Sequence, residues 1–470
     1  LKRPVLRRMG DATRLRVPSK LRDRLVAKAD PGGDPAADAV KHVAPGTPPV
    51  IDWVLDDERT ATKRAGFDLS APTDDRPFFF HVLPVFEPVD EEVAGRFGAN
   101  GTAVRVLQLL MAVLTGLTLL LFFASPDRSE VADALQTLNS AFPRSLMLGC
   151  SSSGEIYKNE INDHSISLAI IKFEYTSIGL AIDQLSQHND ASGVGARLAG
   201  QLQQDDLRAV MVLSDGLMVN GSRLVAGLST NLTEDVVITG GLAGDGDRFT
   251  KTWVWADGDM RSGYVCALGL YGERLGIGHG SRGGWDVLGP EREVTSAQRN
   301  VLYELDGQPA LDLYKKYLGD RADGLPATGL LFPLAIRNEE ESDGNTVRTI
   351  LGVNERDQSI TFAGDIPQGS FVRLMRANFD RLIDGAADAA AAIHASADDR
   401  EPVLNVAISC VGRRLVLGPR TEEEIEAVLD GMPQGTQQIG YYSYGEISPL
   451  ASGRCDLHNQ TMTLTAIWET

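Results

Sequence analysis

The sequence predicts an α/β protein with mixed sheets, and three observations carry that expectation. From residue 118 onward, apolar runs, loops of small polar residues and amphipathic helices alternate, which is the pattern of βα units. The alternation recurs three times, and two of the strand ends carry related octets. In the first unit LLLFFASPD leads into a helix near 128–141, where Val131, Leu135 and Leu138 keep helical spacing, and then into SLMLGCSSSGEI. The second runs AVMVLSDGL, a helix near 219–229 and VVITGGLAGDG. The third runs NVAISCVGR, a helix over 421–430 and IGYYSYGEI. GCSSSGEI at 149–156 and GYYSYGEI at 440–447 agree at five positions of eight, which predicts an internal duplication.

Length and charge divide the chain. Its 470 residues are enough for roughly two to four domains. The formal charge of -19 falls unevenly: residues 1–125 hold 17 Lys and Arg against 16 Asp and Glu, leaving 28 against 48 for the remainder. That acidity excludes general nucleic-acid binding, which needs clustered cations to neutralise phosphate. Four cysteines (Cys150, Cys266, Cys410 and Cys455) without a C-x-x-C pair exclude a disulfide scaffold or a zinc ribbon, and fit a reducing, cytoplasmic compartment for residues 118–470. The chain begins at Leu1 rather than Met, as a fragment of a longer reading frame would. Residues 1–102 read as a partly irregular segment with a basic leader. Between Arg105 and Asp127 runs an uncharged stretch of about 20 residues, the length that crosses a bilayer, so residues 103–124 form a candidate transmembrane helix and membrane anchor. Its second half, TLLLFFASPD, reads equally as a buried parallel strand.

A strand that ends in Gly, Ser or Asp before a helix gathers backbone N–H groups and short hydroxyls at one edge of a sheet, where small polar ligands bind. The candidate ligand-binding residues are Cys150, Ser151, Ser153 and Glu155 in the first unit and Ser214, Asp215, Gly241 and Asp245 in the second. The third unit supplies Arg413, Arg414, Tyr444 and Glu446, and the C-terminal segment His458 and Asn459. Any one loop reads as turn glycines and helix caps; several converging loops would make a site. Arg413 and Arg414 suit a carboxylate, and Glu155 or Glu446 an ammonium, a combination that fits an amino acid. GHGSRG at 278–283 satisfies a dinucleotide fingerprint literally, but Trp285, Gly289 and Pro290 follow, so no helix opens there. GCSSSG and GYYSYG place their second glycine wrongly for a serine-hydrolase elbow. Cys455 and His458 lack a second ligand pair, so neither a metal nor another cofactor is expected. One alternative is a thiol or serine hydrolase using Cys150 or Ser214 with His458. Another is an adaptor whose acidic surface engages a signalling protein.

Six blocks then resemble one family. GCSSSGEI, GGLAGDG, LGPEREVTSAQRNVLYELDGQPALDLYKKYLG at 288–319, CVGRRLVLG at 410–418, GYYSYGEISP at 440–449 and LHNQTMTL at 457–464 together resemble a FIST signal-transduction protein. The resemblance implies a FIST N-terminal domain over 118–290, a FIST C-terminal domain over 297–450 and a closing strand over 451–470. It also implies a non-enzymatic, intracellular sensory module that binds a small molecule, such as an amino acid, and hands its signal to a separate output protein. Upstream, PTDDRPFFF and the hydrophobic span resemble the C-terminal tail of a spermidine-synthase-like bacterial membrane protein over about residues 45–124, without its catalytic part. The two resemblances imply either a natural fusion that anchors the sensor to a membrane or a chimera joined near residues 116–122.

Overall fold

The computed structural model describes residues 118–186, 190–337, 346–397, 403–450 and 453–470, with the backbone of three upstream strands, Val50–Leu55, Ala61–Phe67 and Phe78–Val85. The three βα units are present, and each forms a parallel strand pair joined by helix. Thr118–Ala124 pairs with Leu146–Ser151 across helix Arg128–Ala141. Leu207–Ser214 pairs with Val237–Leu242 across helix Gly221–Asn231. Leu404–Cys410 pairs with Gln437–Ser443 across helices Val411–Leu417 and Thr421–Gly431. A helical crossover is what a parallel pair requires. An antiparallel strand flanks the first strand of each pair: Ser165–Lys172, Tyr264–Tyr271 and Met462–Glu469.

After its second strand, each unit leaves its own sheet. Glu155–Tyr157, from the first unit, pairs with Gln437–Ser443 of the third. Gly445–Pro449, from the third, pairs with Val237–Leu242 of the second. Val254–Ala256, from the second, meets Leu146–Ser151 of the first. The exchange is cyclic, and the repeat counts three units where the matching octets reveal two.

Strand alternation explains how the sheets pack. Leu119, Leu121 and Phe123 face a central core that also takes Met211 and Leu213 from the second sheet and Val406 and Ile408 from the third. The intervening Leu120, Phe122 and Ala124 face helix Arg128–Ala141, while Val210 and Val212 face the helices of the second unit. Three sheets therefore share one core on their inner faces and carry their helices outside.

Between the second and third units, the strand Asp286–Gln298 curls through register shifts and pairs along one part with Phe371–Arg376 and along another with Val301–Leu305. The resulting half-barrel has its own core with helix Ala310–Leu318. It holds a small apolar cavity of about 20 Å³, room for about one water. Arg348 ties this module to the three-sheet body by donating to the Leu457 carbonyl at 2.7 Å.

The membrane reading of residues 103–124 requires correction over the part that is described. Thr118–Ala124 is a strand, wholly buried between Leu146–Ser151 and Ser165–Lys172, because its apolar residues find partners on both sheet faces. Among the described residues no helix is long and apolar enough to cross a membrane. Residues 103–117 and the basic leader lie outside the described residues.

Candidate functional site

The strand-end loops of the three units meet in a ring of backbone hydrogen bonds. Ser153 N–H donates to the Tyr442 carbonyl (2.8 Å), Tyr444 N–H to the Leu242 carbonyl (3.2 Å), and Gly244 N–H to the Ser151 carbonyl (3.0 Å). Each unit donates to the next, so Ser153, Tyr444 and Gly244 are equivalent positions. Gly149, Gly240 and Gly440 enter these loops at equivalent places too. A Cβ at Gly240 would run into the Val212 carbonyl and one at Gly440 into the Ala407 carbonyl. Close strand approach is therefore what Gly240 and Gly440 supply, while Gly149 makes room for the Phe122 ring.

Glu155 and Glu446 occupy matching places just beyond the ring and are 1% and 0% exposed. Glu155 accepts from Ser165 N–H (3.1 Å) and Oγ (2.7 Å). Glu446 accepts from Ser443 Oγ (2.7 Å), Thr461 N–H (3.2 Å) and Thr461 Oγ1 (2.8 Å). Burial pushes both carboxyls up to about 8, against the opposing pull of these hydroxyl and N–H donors. In the second unit Gly246 stands at this position, and the carboxylate has moved one residue back to Asp245.

Asp245 accepts from Thr250 N–H and Oγ1 (both 2.9 Å), Lys251 N–H (2.8 Å) and the Tyr444 hydroxyl. Burial opposes its ionisation, but these donors together hold it below the usual carboxylate range. Phe249 stacks on the Tyr444 ring at 4.6 Å and 13°, half-exposed above the junction. Ser153 Oγ accepts from Gly246 N–H at 2.9 Å. Arg414, at the rim, donates to the Ser153 carbonyl and pairs with exposed Asp163 at 2.7 Å. The structure thus brings Ser153, Asp245, Tyr444, Glu446 and Arg414 of the predicted set together.

Other predicted residues are spent elsewhere. Arg413 is fully buried, with its guanidinium committed to Glu424 and to the Gly283, Leu382 and Gln460 carbonyls. Asp215 closes its own turn, accepting from Leu217, Met218 and Gly263 N–H groups, and Ser214 Oγ donates to the Asp215 carbonyl. Ser151 Oγ accepts from Trp253 N–H, while Gly241 packs under Tyr441 Oη and the Gly445 carbonyl. Cys150 lies in the central core, where burial pushes its thiol up. His458 Nε2 lies 3.0 Å from the Ser448 carbonyl, and burial lowers its basicity. None of the hydrogen bonds described reaches from His458 to Cys150 or Ser214, so the hydrolase pairing is not formed.

At the third unit's edge of the junction, Asn459 and Gln460 are 0% exposed. Asn459 Oδ1 and both amide atoms of Gln460 have no hydrogen-bond partner among the described residues. Gln460 was not among the predicted residues. Its backbone φ of 62°, which no sequence pattern announces, turns its side chain over Gly412.

Fold and junction define an α/β protein whose polar loops gather at the C-terminal ends of its central strands, the edge at which α/β proteins bind ligands. Residues 118–308 match the FIST N domain and residues 310–449 the FIST C domain; the chain belongs to the FIST family, whose domains are associated with signal transduction and sensing. The chain is also similar to an uncharacterized protein of Methanocaldococcus jannaschii, 23% identical over 396 residues that span 75% of this chain and 73% of that protein. Neither domain match extends upstream of residue 118, and the synthase-like resemblance of residues 45–124 finds no support in them.

Proposed function

We propose that this chain is a sensory module that binds a small polar metabolite, an amino acid or a close relative, at the junction of its three strand-end loops. The observation that carries the reading is the set of unpartnered amide atoms on buried Asn459 and Gln460. Each such atom costs on the order of 1–3 kcal/mol when left without a partner, a cost that a hydrogen-bonding ligand removes. Arg414 supports an acidic group on that ligand, because its partner Asp163 is exposed and exchangeable. Arg413 does not, since its donors are already occupied by the protein. Four free cysteines, three of them buried, agree with a cytoplasmic setting. The signal then passes to a separate output protein.

Thermal shift of the full chain against the individual amino acids tests the proposal. A ligand at a hundred times its Kd adds about 2.7 kcal/mol of stability. Asn459→Leu and Gln460→Leu should remove the ligand-induced shift while leaving the unliganded protein folded. Absence of any shift at millimolar concentrations, or shifts unaltered in both variants, would overturn it.

A further inference from the structure

The three-fold repeat sets the end of each first strand against a hairpin residue in the left-handed region. Ser125 faces the turn of His164 (φ 54°), Asp215 that of Gly263 (φ 74°), and Cys410 that of Gln460 (φ 62°). The equivalence is exact in the backbone: Ser125, Asp215 and Cys410 N–H groups donate to the carbonyls of Ser165, Tyr264 and Thr461. In the second unit the place is closed, because the Asp215 carboxylate accepts the Gly263 N–H. In the third it is closed as well, with the buried Cys410 thiol facing the Gly412 and Gln460 backbone N–H groups. The first unit differs. There the same place presents accessible donor atoms: His164 Nδ1 lies 2.9 and 3.0 Å from the two Glu130 carboxylate oxygens, and Asp127 completes a trio whose ligand atoms all lie within 4.8 Å of one another. Ser125 Oγ donates to Glu130 Oε2 at 2.5 Å and fixes that carboxylate.

We propose that Asp127, Glu130 and His164 form a binding site for a divalent transition-metal ion of the zinc type. One imidazole nitrogen with two carboxylates is a donor set that suits such an ion, and a position is left for water. Ser125 acts from the outer shell by orienting Glu130. The left-handed conformation costs a histidine roughly 1 kcal/mol, and the two sister positions hold Gly263 and Gln460, so the backbone does not call for an imidazole there. The first turn of helix Arg128–Ala141 contributes about half a positive charge, which two carboxylates outweigh. One cation competes: Arg248 Nη1 lies 3.3 and 3.2 Å from the Asp127 oxygens. A metal ion takes Asp127 from Arg248, whose Nε donates to the Asp245 carbonyl at the ring, so occupancy of this site bears on the neighbouring loop junction.

Zinc titration of the full chain near pH 7.5, followed by chelator competition and metal analysis after dialysis, tests the site. One zinc per chain is expected. His164→Gly, which installs the residue of the second unit's sister position, and Glu130→Gln should each weaken binding by at least about tenfold. Arg248→Ala should tighten it, with circular dichroism confirming that all three variants fold. No binding by the folded chain up to about 1 mM zinc, or affinity unaltered in His164→Gly and Glu130→Gln, overturns the site. Unaltered or weaker binding in Arg248→Ala overturns the role of Asp127 and with it the three-ligand site.

Discussion

Glu155 and Glu446 should make the protein less stable as the pH rises from 7 to 8. Both carboxyls are buried, with no cation in hydrogen-bond contact among the described residues, and both are raised to about 8 from an ordinary value of 4.5. The folded protein therefore holds a proton on each that the unfolded chain has already lost. A carboxyl raised in this way contributes stability that is complete below pH 4.5 and disappears as the pH climbs through 8, the reverse of an ion-paired carboxylate. Integrated from pH 7 to pH 8, the loss is about 1 kcal/mol for each group and about 2 kcal/mol for the pair. His458 and His279, whose basicity burial lowers, act in the opposite sense, but most of their titration in the unfolded chain is complete below that interval. Other raised groups, the thiols of Cys150 and Cys410 among them, titrate above the interval. Urea unfolding at several pH values between 7 and 8 reads the slope directly. Glu446→Gln should halve it, because a glutamine can set its oxygen against Thr461 N–H and its amino group against Ser443 Oγ, and Glu155→Gln combined with Glu446→Gln should abolish it. A flat or rising stability in the parent, or a full slope in the double variant, would refute the argument.

Three further predictions concern packing. Arg413→Met should cost about 3–5 kcal/mol in denaturant unfolding by stranding buried Glu424, and adding Glu424→Leu should recover most of that loss. Gly440→Ala should cost about 1–3 kcal/mol in the same assay, since its Cβ would drive into the Ala407 carbonyl of the paired strand. Residues 118–308 expressed alone should lack cooperative thermal unfolding, because the strands that pair with Glu155–Tyr157 and with the second edge of Val237–Leu242 belong to residues 437–449; calorimetry showing a parent-like transition would contradict this.

Much of the fold was legible because it rests on period and on strand-end composition. The three strand–helix–strand units follow from apolar runs bounded by small polar residues, and each appears in the structure. The apolar run near residue 120 was ambiguous by its nature: seven buried residues serve a central strand as well as they would serve half of a membrane span, and only the neighbours on both sides decide. All three units were legible, but the matching octet showed in only two of them, because the carboxylate of the second unit is displaced. Gly246 stands where Glu155 and Glu446 stand, and Asp245 takes over the polar anchoring with different partners. The loops that meet were readable as chemistry but not as geometry. Arg413 and Arg414 are adjacent and look alike in sequence, yet one is sealed against Glu424 and the other reaches the rim, a difference set by which face of a seven-residue helix each occupies. Gln460 lies inside the LHNQTMTL block, but its individual role depends on one backbone angle that the residue types do not announce.

The cyclic exchange makes the polar junction and the fold the same object. In an ordinary two-layer α/β protein, a strand-end loop can shift while the sheet behind it stays fixed. Here each loop is also the crossover by which a unit enters its neighbour's sheet, and the bonds at Ser153, Tyr444 and Gly244 each join two different units. Moving the Tyr444 loop disturbs the second unit through Leu242 and Asp245, while moving residues 458–461 disturbs the third through the Thr461 to Glu446 bonds and the Cys410 N–H. Arg348, held by the Leu457 and Asp365 carbonyls, extends that connection to the half-barrel, and Asn220 of the second unit reaches Asp365 from the other side. A close-packed interior does not absorb such shifts gradually. Any ligand that draws Asn459 and Gln460 into new hydrogen bonds thus acts on all three sheets and on the half-barrel at once, through contacts that hold the chain together.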